Sequence, residues 1–282
     1  MTIRLTQLYI YPVKSMAGIP LEASELDTLG LEHDRRWMLV DRDGQFMTQR
    51  THPHMVLIRP AIIDGQLVLT NSKGESHEVP GIEYAEERIP VQIWRDQVSA
   101  HRLSSATDAW LSREIGEPCR LVYIADDESR QCDLEYAKEG DRTGFSDGFP
   151  LLLLSEASLG ELNNRLRETV SMIRFRPNLV VAGCEAHAED NWREIQIGGI
   201  GFRVVKPCSR CPIPTVNPQT GRKEGPEPLK TLMSYRRRNN KVWFGQNLVH
   251  EGRGLIKRSI HRGESRCFLK PSQTTILSRF CH

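Results

Sequence analysis

The chain has 282 residues, with 38 Lys and Arg against 36 Asp and Glu and a formal net charge of +2. Because the charges nearly balance, the composition excludes a protein that binds nucleic acid or anionic membranes through a strong overall field, and any anion site must be local. No apolar run approaches the ~20 residues that span a bilayer, and the N-terminus lacks a signal-peptide layout, so we expect a cytoplasmic protein. Seven irregularly spaced cysteines favour reduced thiols over a disulfide framework.

The first hundred residues predict a strongly β region. Two Asp-Gly pairs, Asp43-Gly44 and Asp64-Gly65, lie between apolar stretches and are hairpin signals. The strands predicted around them cover residues 3–10, 37–40, 46–48, 56–58, 62–63 and 67–69. A helix follows over Ser105 to Ile115, with Ser105 and Asp108 resembling a capping box and Gly116 ending the helix.

The second part mixes strands with a few helices. We predict strands at 121–124, 149–154 and 179–182, a hairpin from 195–197 and 200–205, and helices over 156–168 and 228–236. Ser155 is the predicted N-cap of the first of these helices. Residues 125–143 are acidic and polar, which indicates a long surface loop.

Cys208 and Cys211 follow the predicted hairpin, with Arg210 between them. Thiolates are soft ligands for redox-active metals, and nearby positive charge favours the ionised thiol. A structural zinc site would need further ligands such as Cys132, His187 and His250, which lie at no usual spacing. A thioredoxin-like dithiol would need a helix after the pair, where Pro212 stands instead, and two inert buried thiols remain a third interpretation.

Several basic residues border apolar segments that are expected to be buried. Arg176 precedes the strand at 179–182, and Arg35 precedes the strand at 37–40. A buried arginine needs an anionic or carbonyl partner, and guanidinium groups match phosphate oxygens well. No glycine-rich phosphate loop is present. Asp147, before the apolar run, is either a turn residue or an active-site carboxylate.

Six ordered blocks carry a resemblance to a known family. They are Tyr11-Pro12-Val13-Lys14-Ser15, Asp34-Arg35-Arg36-Trp37, Phe145-Ser146-Asp147, Phe175-Arg176-Pro177-Asn178, Cys208-Ser209-Arg210-Cys211 and Phe244-Gly245-Gln246-Asn247. With these blocks the chain resembles the MOSC superfamily of molybdenum cofactor sulfurases and amidoxime-reducing proteins. Within it, the chain is most similar to the bacterial YcbX type and the mitochondrial amidoxime-reducing component.

The resemblance implies an α+β, mainly β fold. A β-rich MOSC N-terminal domain would cover residues 1–120 and a MOSC β-barrel residues 121–258, with an atypical tail at 259–282. After Ile256 the family would continue with a Val-Gly-Asp turn and a closing strand, whereas this chain has a basic, Cys-containing segment and no ferredoxin module.

The resemblance also implies a molybdenum cofactor of the molybdopterin form. Cys211 would ligate the molybdenum, and Asp147 would orient substrate or move protons. The implied cofactor contacts are Lys14, Ser15, Arg35, Asp147, Arg176, Asn178, Ser209, Arg210, Gln246 and Asn247, with Thr48 and Arg50 at the rim. The superfamily also carries pyridoxal phosphate binding, which the resemblance implies at that level only.

The implied activity is the reduction of N-hydroxylated bases, amidoximes and hydroxylamines to amines or amidines, a detoxification reaction. Electrons would come from a separate protein, such as a ferredoxin, a flavoprotein reductase or a cytochrome b5-like carrier. One alternative is a MOSC carrier of cofactor or persulfide sulfur without its own turnover. Another is a cofactor-binding relic whose altered C-terminus has removed activity.

Overall fold

The computed structural model describes residues 3–259 and the backbone of residues 266–269. Strands predominate there, so the predicted α+β, mainly β class is confirmed. The α-helices of this part are α1 (Ser105–Ile115), α2 (Glu156–Asn163) and α3 (Leu229–Arg236). Short 3-10 helices cover Pro53–Leu57, Ile82–Tyr84, Asp126–Glu128, Met172–Phe175, Ala188–Asn191 and Ile213–Thr215.

The strands of the described residues are numbered β1 to β22 in chain order. Those of the first half are β1 (Ile3–Ile10), β2 (Ile19–Leu21), β3 (Ala23–Leu26), β4 (Trp37–Val40), β5 (Arg59–Ile63), β6 (Gln66–Thr70), β7 (Ser76–Glu78), β8 (Glu87–Ile93), β9 (Asp96–Arg102), β10 (Arg120–Tyr123) and β11 (Arg130–Gln131). Those of the second half are β12 (Arg142–Thr143), β13 (Leu151–Ser155), β14 (Leu179–Ala182), β15 (Glu194–Ile197), β16 (Ile200–Ser209), β17 (Val216–Asn217), β18 (Arg222–Lys223), β19 (Arg237–Arg238), β20 (Lys241–His250), β21 (Gly254–Lys257) and β22 (Arg266–Leu269).

The largest sheet joins the two ends of the chain. Its order is β13-β14-β1-β22-β15-β16-β20-β19, with β2 also paired to β1. Because β13 pairs with β20 as well, the sequence of pairings returns to its first strand. The first strand of the chain therefore lies among strands from residue 151 onward.

A second, smaller group of sheets forms from the intervening residues. One sheet has the order β4-β10-β9-β8 and another the order β5-β6-β7, while β3 pairs with β21. Each group has its own core: Leu5 and Leu153 lie in the core of the large sheet, whereas Leu39 and Leu69 lie in a core beside α1. The cleft described below lies where these two groups meet.

The helix ends follow ordinary capping chemistry. The Ser104 hydroxyl, rather than that of Ser105, accepts the Thr107 backbone N–H at 3.1 Å and caps α1, so the predicted cap was wrong by one residue. Gly116 ends this helix in the left-handed conformation, as predicted. Ser155 caps α2, as predicted, but that helix already ends at Asn163.

Other local predictions need correction. Residues 56–58 are not a strand, because Met55 and Val56 are buried by a 3-10 turn. Residues 46–48 contribute only an isolated bridge to Val40, and the loop at 125–143 contains the β11–β12 ribbon. Most importantly, the tail predicted to lack a closing strand contains β22, whose backbone pairs with both β1 and β15.

Candidate functional site

A cleft lies between the two groups of sheets and is lined by residues distant in sequence. Its polar lining comes from the segment after β1, the residues on either side of β4, the turns at 146–148 and 176–178, the end of β16 with the turn that follows, and β20. Five side chains of this lining are cationic and one is a carboxylate. They are Lys14, Arg35, Arg50, Arg176, Arg210 and Asp147.

Lys14 is held at the cleft by the backbone of two elements. Its N–H donates to the Trp37 carbonyl at 2.8 Å, which fixes the segment after β1 against β4. Its buried Nζ donates to the Phe145 carbonyl at 2.8 Å and to Asp147 Oδ1 at 2.6 Å. Burial lowers the pKa of Lys14, and the Asp147 carboxylate opposes this effect. The Asp147 carboxylate therefore favours the charged form of Lys14.

Arg35 and Arg176 stand against the ring of Tyr11, with guanidinium carbons 4.4 and 4.1 Å from the ring centroid. Arg35 donates to Asp34 Oδ2 at 2.5 Å and to the Arg176 carbonyl at 3.1 Å. Arg176 donates to the Met16 carbonyl at 2.6 Å. Burial, together with the charge of Arg35, lowers the pKa of Arg176 to about 10, so the side chain stays cationic at neutral pH.

The Asn178 side chain connects Arg35 to the backbones of β1 and β13. Its Oδ1 accepts from Arg35 at 2.9 Å and from the Leu152 N–H at 3.1 Å, and its Nδ2 donates to the Tyr9 carbonyl at 3.1 Å. The side chain is almost fully buried. Its hydrogen bonds therefore position Arg35, in addition to any contact with a ligand.

The thiols lie at the opposite wall, where β16 ends. Ser209 is still paired with Trp243 of β20, and the Arg210 N–H donates to the Val242 carbonyl at 2.7 Å. The Arg210 guanidinium donates to Cys208 Sγ at 3.2 Å and to the Phe175 carbonyl at 2.8 Å. Burial raises the pKa of the Cys208 thiol, and Arg210 opposes this rise. Both thiols are partly accessible, so they are not the inert, fully buried pair of the third interpretation.

Asp147 is the carboxylate of the cleft, on the turn after Phe145. It contacts Lys14 and, at 3.7 Å through Oδ2, Arg50. Although desolvation opposes ionisation, the positive charge of Lys14 and then Arg50 lowers the pKa of Asp147 well below its usual range. Its side chain is 59% exposed, so the carboxylate is ionised yet still reachable by a ligand.

The cleft gathers most of the residues that the sequence predicted. Its lining includes the predicted Lys14, Ser15, Arg35, Thr48, Arg50, Asp147, Arg176, Asn178, Ser209, Arg210, Cys211 and Asn247. Gln246 is not among the lining residues: it is buried and donates to Asp190 Oδ1 at 2.7 Å. Adjacent residues of a strand point to opposite faces, so only one of Gln246 and Asn247 reaches the cleft.

Two supporting residues were missed by the sequence reasoning. Asp34 is buried, accepts from Arg35 and accepts the Tyr11 N–H at 2.7 Å. Tyr11 provides the ring against which two guanidinium groups stack. The sequence does contain a signal for Asp34. It directly precedes an arginine that leads into a buried strand, where an acid can serve as the counterion.

The donor set fits an anionic cofactor that carries a soft metal. Five cations face one carboxylate, and Arg210 Nε is buried without a hydrogen-bond partner among the residues described. Across 3–259, no group of three or more His, Cys, Asp or Glu is arranged to hold a metal ion by itself. A single thiolate from this chain suits a metal whose other ligands belong to the cofactor.

Comparison with known proteins gives the family. Residues 2–118 match the MOSC N-terminal beta barrel domain and residues 140–265 match the MOSC domain. The chain is 34% identical over 270 residues to human "Mitochondrial amidoxime-reducing component 1", covering 90% of this chain and 80% of that protein. It is 33% identical to the tomato "Molybdenum cofactor sulfurase", covering 88% of this chain but 33% of that protein.

Solved structures add little to this. The YUAD protein of Bacillus subtilis matches 95% of this chain and 94% of its own, with a TM-score of 0.40 and 10% identity. Among the described residues, no helix combines the length and apolar character needed to cross a membrane. The two domain matches and the relatives at more than 30% identity agree, and the chain belongs to the family of MOSC-domain proteins that includes the mitochondrial amidoxime-reducing components.

Proposed function

We propose that this protein is a molybdenum cofactor-dependent reductase of N-hydroxylated compounds. The observation that carries the proposal is the cleft itself, where five cationic side chains and two thiols converge in a family that includes amidoxime-reducing components. The net reaction converts an N–OH group, two electrons and two protons into an N–H group and water. A bound molybdenum cofactor would supply the two-electron chemistry that removes the hydroxyl oxygen.

The cationic wall would bind the negatively charged tail of the cofactor. Lys14, Arg35 and Arg176 are buried or half-buried and are preorganised by protein partners, so little side-chain entropy is lost when an anion arrives. Asn178 would act mainly by holding Arg35. This assignment predicts that loss of one of these cations weakens cofactor retention rather than the chemical step.

Cys211 would supply the thiolate that bonds to the metal, as the family resemblance implies. It lies in the turn directly after β16, where backbone pairing with β20 fixes the preceding residues. Arg210 holds the neighbouring Cys208 through Nη1 and so keeps the two sulfur atoms in different environments. Cys208 would then tune the site without replacing Cys211.

Asp147 would orient the substrate. Because its pKa lies well below the usual range, the carboxylate is ionised at neutral pH and accepts hydrogen bonds instead of donating a proton. An amidine or guanidine group offers N–H donors of matching geometry. Of the two roles that the sequence suggested for this residue, orientation is therefore the one that the charge state supports.

A direct experiment measures reduction of benzamidoxime by the molybdenum-loaded protein with a chemical electron donor. We expect turnover by the wild type and by Cys208→Ala, and none by Cys211→Ala. Loaded wild-type protein that turns over neither benzamidoxime nor hydroxylamine would refute the proposal.

A second candidate is a carrier of cofactor or of persulfide sulfur, favoured by the two accessible thiols and by the similarity to the tomato sulfurase. Mass spectrometry separates the two functions. A persulfide on Cys208 or Cys211, together with no reduction of N-hydroxylated substrates, would support the carrier.

A further inference from the structure

A short basic hairpin stands beside the thiol wall of the cleft. It consists of β19 (Arg237–Arg238) and the first residues of β20, joined by Asn239 and Asn240. Both asparagines have positive φ angles, 50° and 58°, which suits a two-residue type I′ turn. The turn chemistry thus agrees with the pairing, and the hairpin is a defined part of the fold.

Three cations of this hairpin are exposed and make no ion pair with any residue of the described part. They are Arg237, Arg238 and Lys241. Among the described residues, the Arg237 guanidinium donates only to Asn240 Oδ1 at 3.0 Å, whereas the preceding Arg236 is paired with Asp190 at 2.6 Å. Many surface arginines elsewhere have carboxylate partners, such as Arg88 with Asp127. No carboxylate of the described residues therefore neutralises the positive charge of this hairpin.

The arrangement of these charges is unfavourable for the isolated protein. Arg238 stands directly opposite Lys241 in the pairing register. Like charges opposite one another across two antiparallel strands destabilise the pair. An acidic partner that approached both residues would relieve this repulsion.

The hairpin is close to the thiols by direct strand pairing. Arg237 pairs with Val242, and the Val242 carbonyl accepts the Arg210 N–H. Two strand spacings, roughly 10 Å, therefore separate the backbone of Arg237 from that of Arg210. A protein that covered the hairpin would also approach the wall that carries Cys208 and Cys211.

We propose that Arg237, Arg238 and Lys241 form the docking surface for a one-electron carrier protein with an acidic face. This inference rests on the proposed reductase function, which needs two electrons in succession from outside the cleft. Because the formal net charge of the chain is only +2, a local patch rather than an overall field must orient such a partner. Charge complementarity of this kind mainly raises the association rate and depends on salt.

The test uses the molybdenum-loaded full chain with all three cations reversed to glutamate (R237E, R238E, K241E). The matched control reverses three exposed cations elsewhere, Arg42, Lys73 and Arg167. The donor probes are a reduced plant-type ferredoxin and the soluble domain of cytochrome b5. We expect the hairpin variant to lose about tenfold or more in kcat/KM for whichever probe supports turnover, and to lose its salt dependence. Turnover with dithionite-reduced methyl viologen should be unchanged.

Direct binding keeps this test separate from that of the enzyme activity. Calorimetric titration of each probe into wild type and variants reports docking even if no N-hydroxylated compound is reduced. Salt-sensitive binding to wild type and control, lost in the hairpin variant, would support the surface. Equal behaviour of the hairpin and control variants would overturn it, as would tighter hairpin-dependent binding to an RNA oligonucleotide or to anionic vesicles.

Discussion

The two walls of the cleft are built on different principles. On the wall that follows β1, Lys14 contacts Asp147, which also lies 3.7 Å from Arg50, and Arg35 contacts Asp34. On the wall at the end of β16, Arg210 contacts a thiol and a carbonyl, and its Nε has no partner in the described part of the chain. The cations of the first wall are therefore held in place by protein partners, whereas the second wall keeps one donor without a partner among the described residues.

This difference indicates that the two walls have separate roles in binding a ligand. Buried cations with carboxylate partners keep their positions and their charge without a ligand, and so form a preorganised anion site. The second wall has accessible sulfur atoms and, at Arg210 Nε, a donor without a partner among the described residues. A bound ligand could complete its contacts. Substitutions in one wall should therefore have different effects from substitutions in the other.

The largest effect is expected at the thiol wall. Cys211→Ala should reduce turnover of benzamidoxime below detection, because the proposed thiolate ligand of the metal would be lost. The control is Cys119→Ala, which removes a buried thiol outside the cleft. Activity of Cys211→Ala comparable with that of the control would remove Cys211 from the mechanism.

At the first wall, Arg35→Ala should lower the free energy of unfolding by about 3–5 kcal/mol, because it leaves the buried Asp34 without its cationic partner. The deficit should shrink as pH falls, since the folded variant binds a proton at Asp34 more tightly than the unfolded chain does. Urea unfolding at several pH values measures both. The matched control is the double variant Asp34→Asn/Arg35→Ala, which should recover much of the loss.

Strand β20, which pairs with both β13 and β16, depends on Gly245, which has a φ of 87°. A Cβ there would approach the Leu153 carbonyl and Leu154 Cγ to 3.0 Å. Gly245→Ala should therefore cost about 1–2 kcal/mol from backbone conformation alone, with the contact adding to it. Gly199→Ala has a similar φ of 85° but open space around it, so the difference between the two variants isolates the contact.

The smallest effect is expected from Asp147→Asn at neutral pH. The carboxylate is largely exposed, so its pairing with Lys14 should contribute less than about 1 kcal/mol. Because its pKa is lowered in the folded state, this contribution is present above the ordinary carboxyl pKa of about 4 and is lost as pH falls further. Acid unfolding followed by circular dichroism should show a shallower loss below that pH in Asp147→Asn than in wild type.

Local patterns predicted the elements with strong signals. The α1 helix, with its terminal Gly116, and the hairpin around Asp64-Gly65 were found because turn and cap chemistry is local. The strand β20 was missed, since Gly245 interrupts its apolar pattern and its burial comes from neighbours on both sides. The place of β1 among late strands was equally beyond local reasoning, because that pairing spans most of the chain.

The candidate site shows the same limit. Ordered motifs identified most of the polar residues of the cleft, but they could not separate Asn247 from Gln246, because strand register decides which side chain faces inward. The buried counterion Asp34 was also missed, since its role depends on burial that only the fold reveals. The domain boundary near residue 120 and the cytoplasmic location stay predictions.

A bond between Cys211 and molybdenum is central to the proposed function, and X-ray absorption at the molybdenum edge tests it most directly. We expect purified wild-type protein to contain about one molybdenum per chain, with one more sulfur neighbour around the metal than in Cys211→Ala. Cys208→Ala should give the wild-type spectrum. Identical sulfur coordination in wild type and Cys211→Ala would show that Cys211 is not a ligand of the metal.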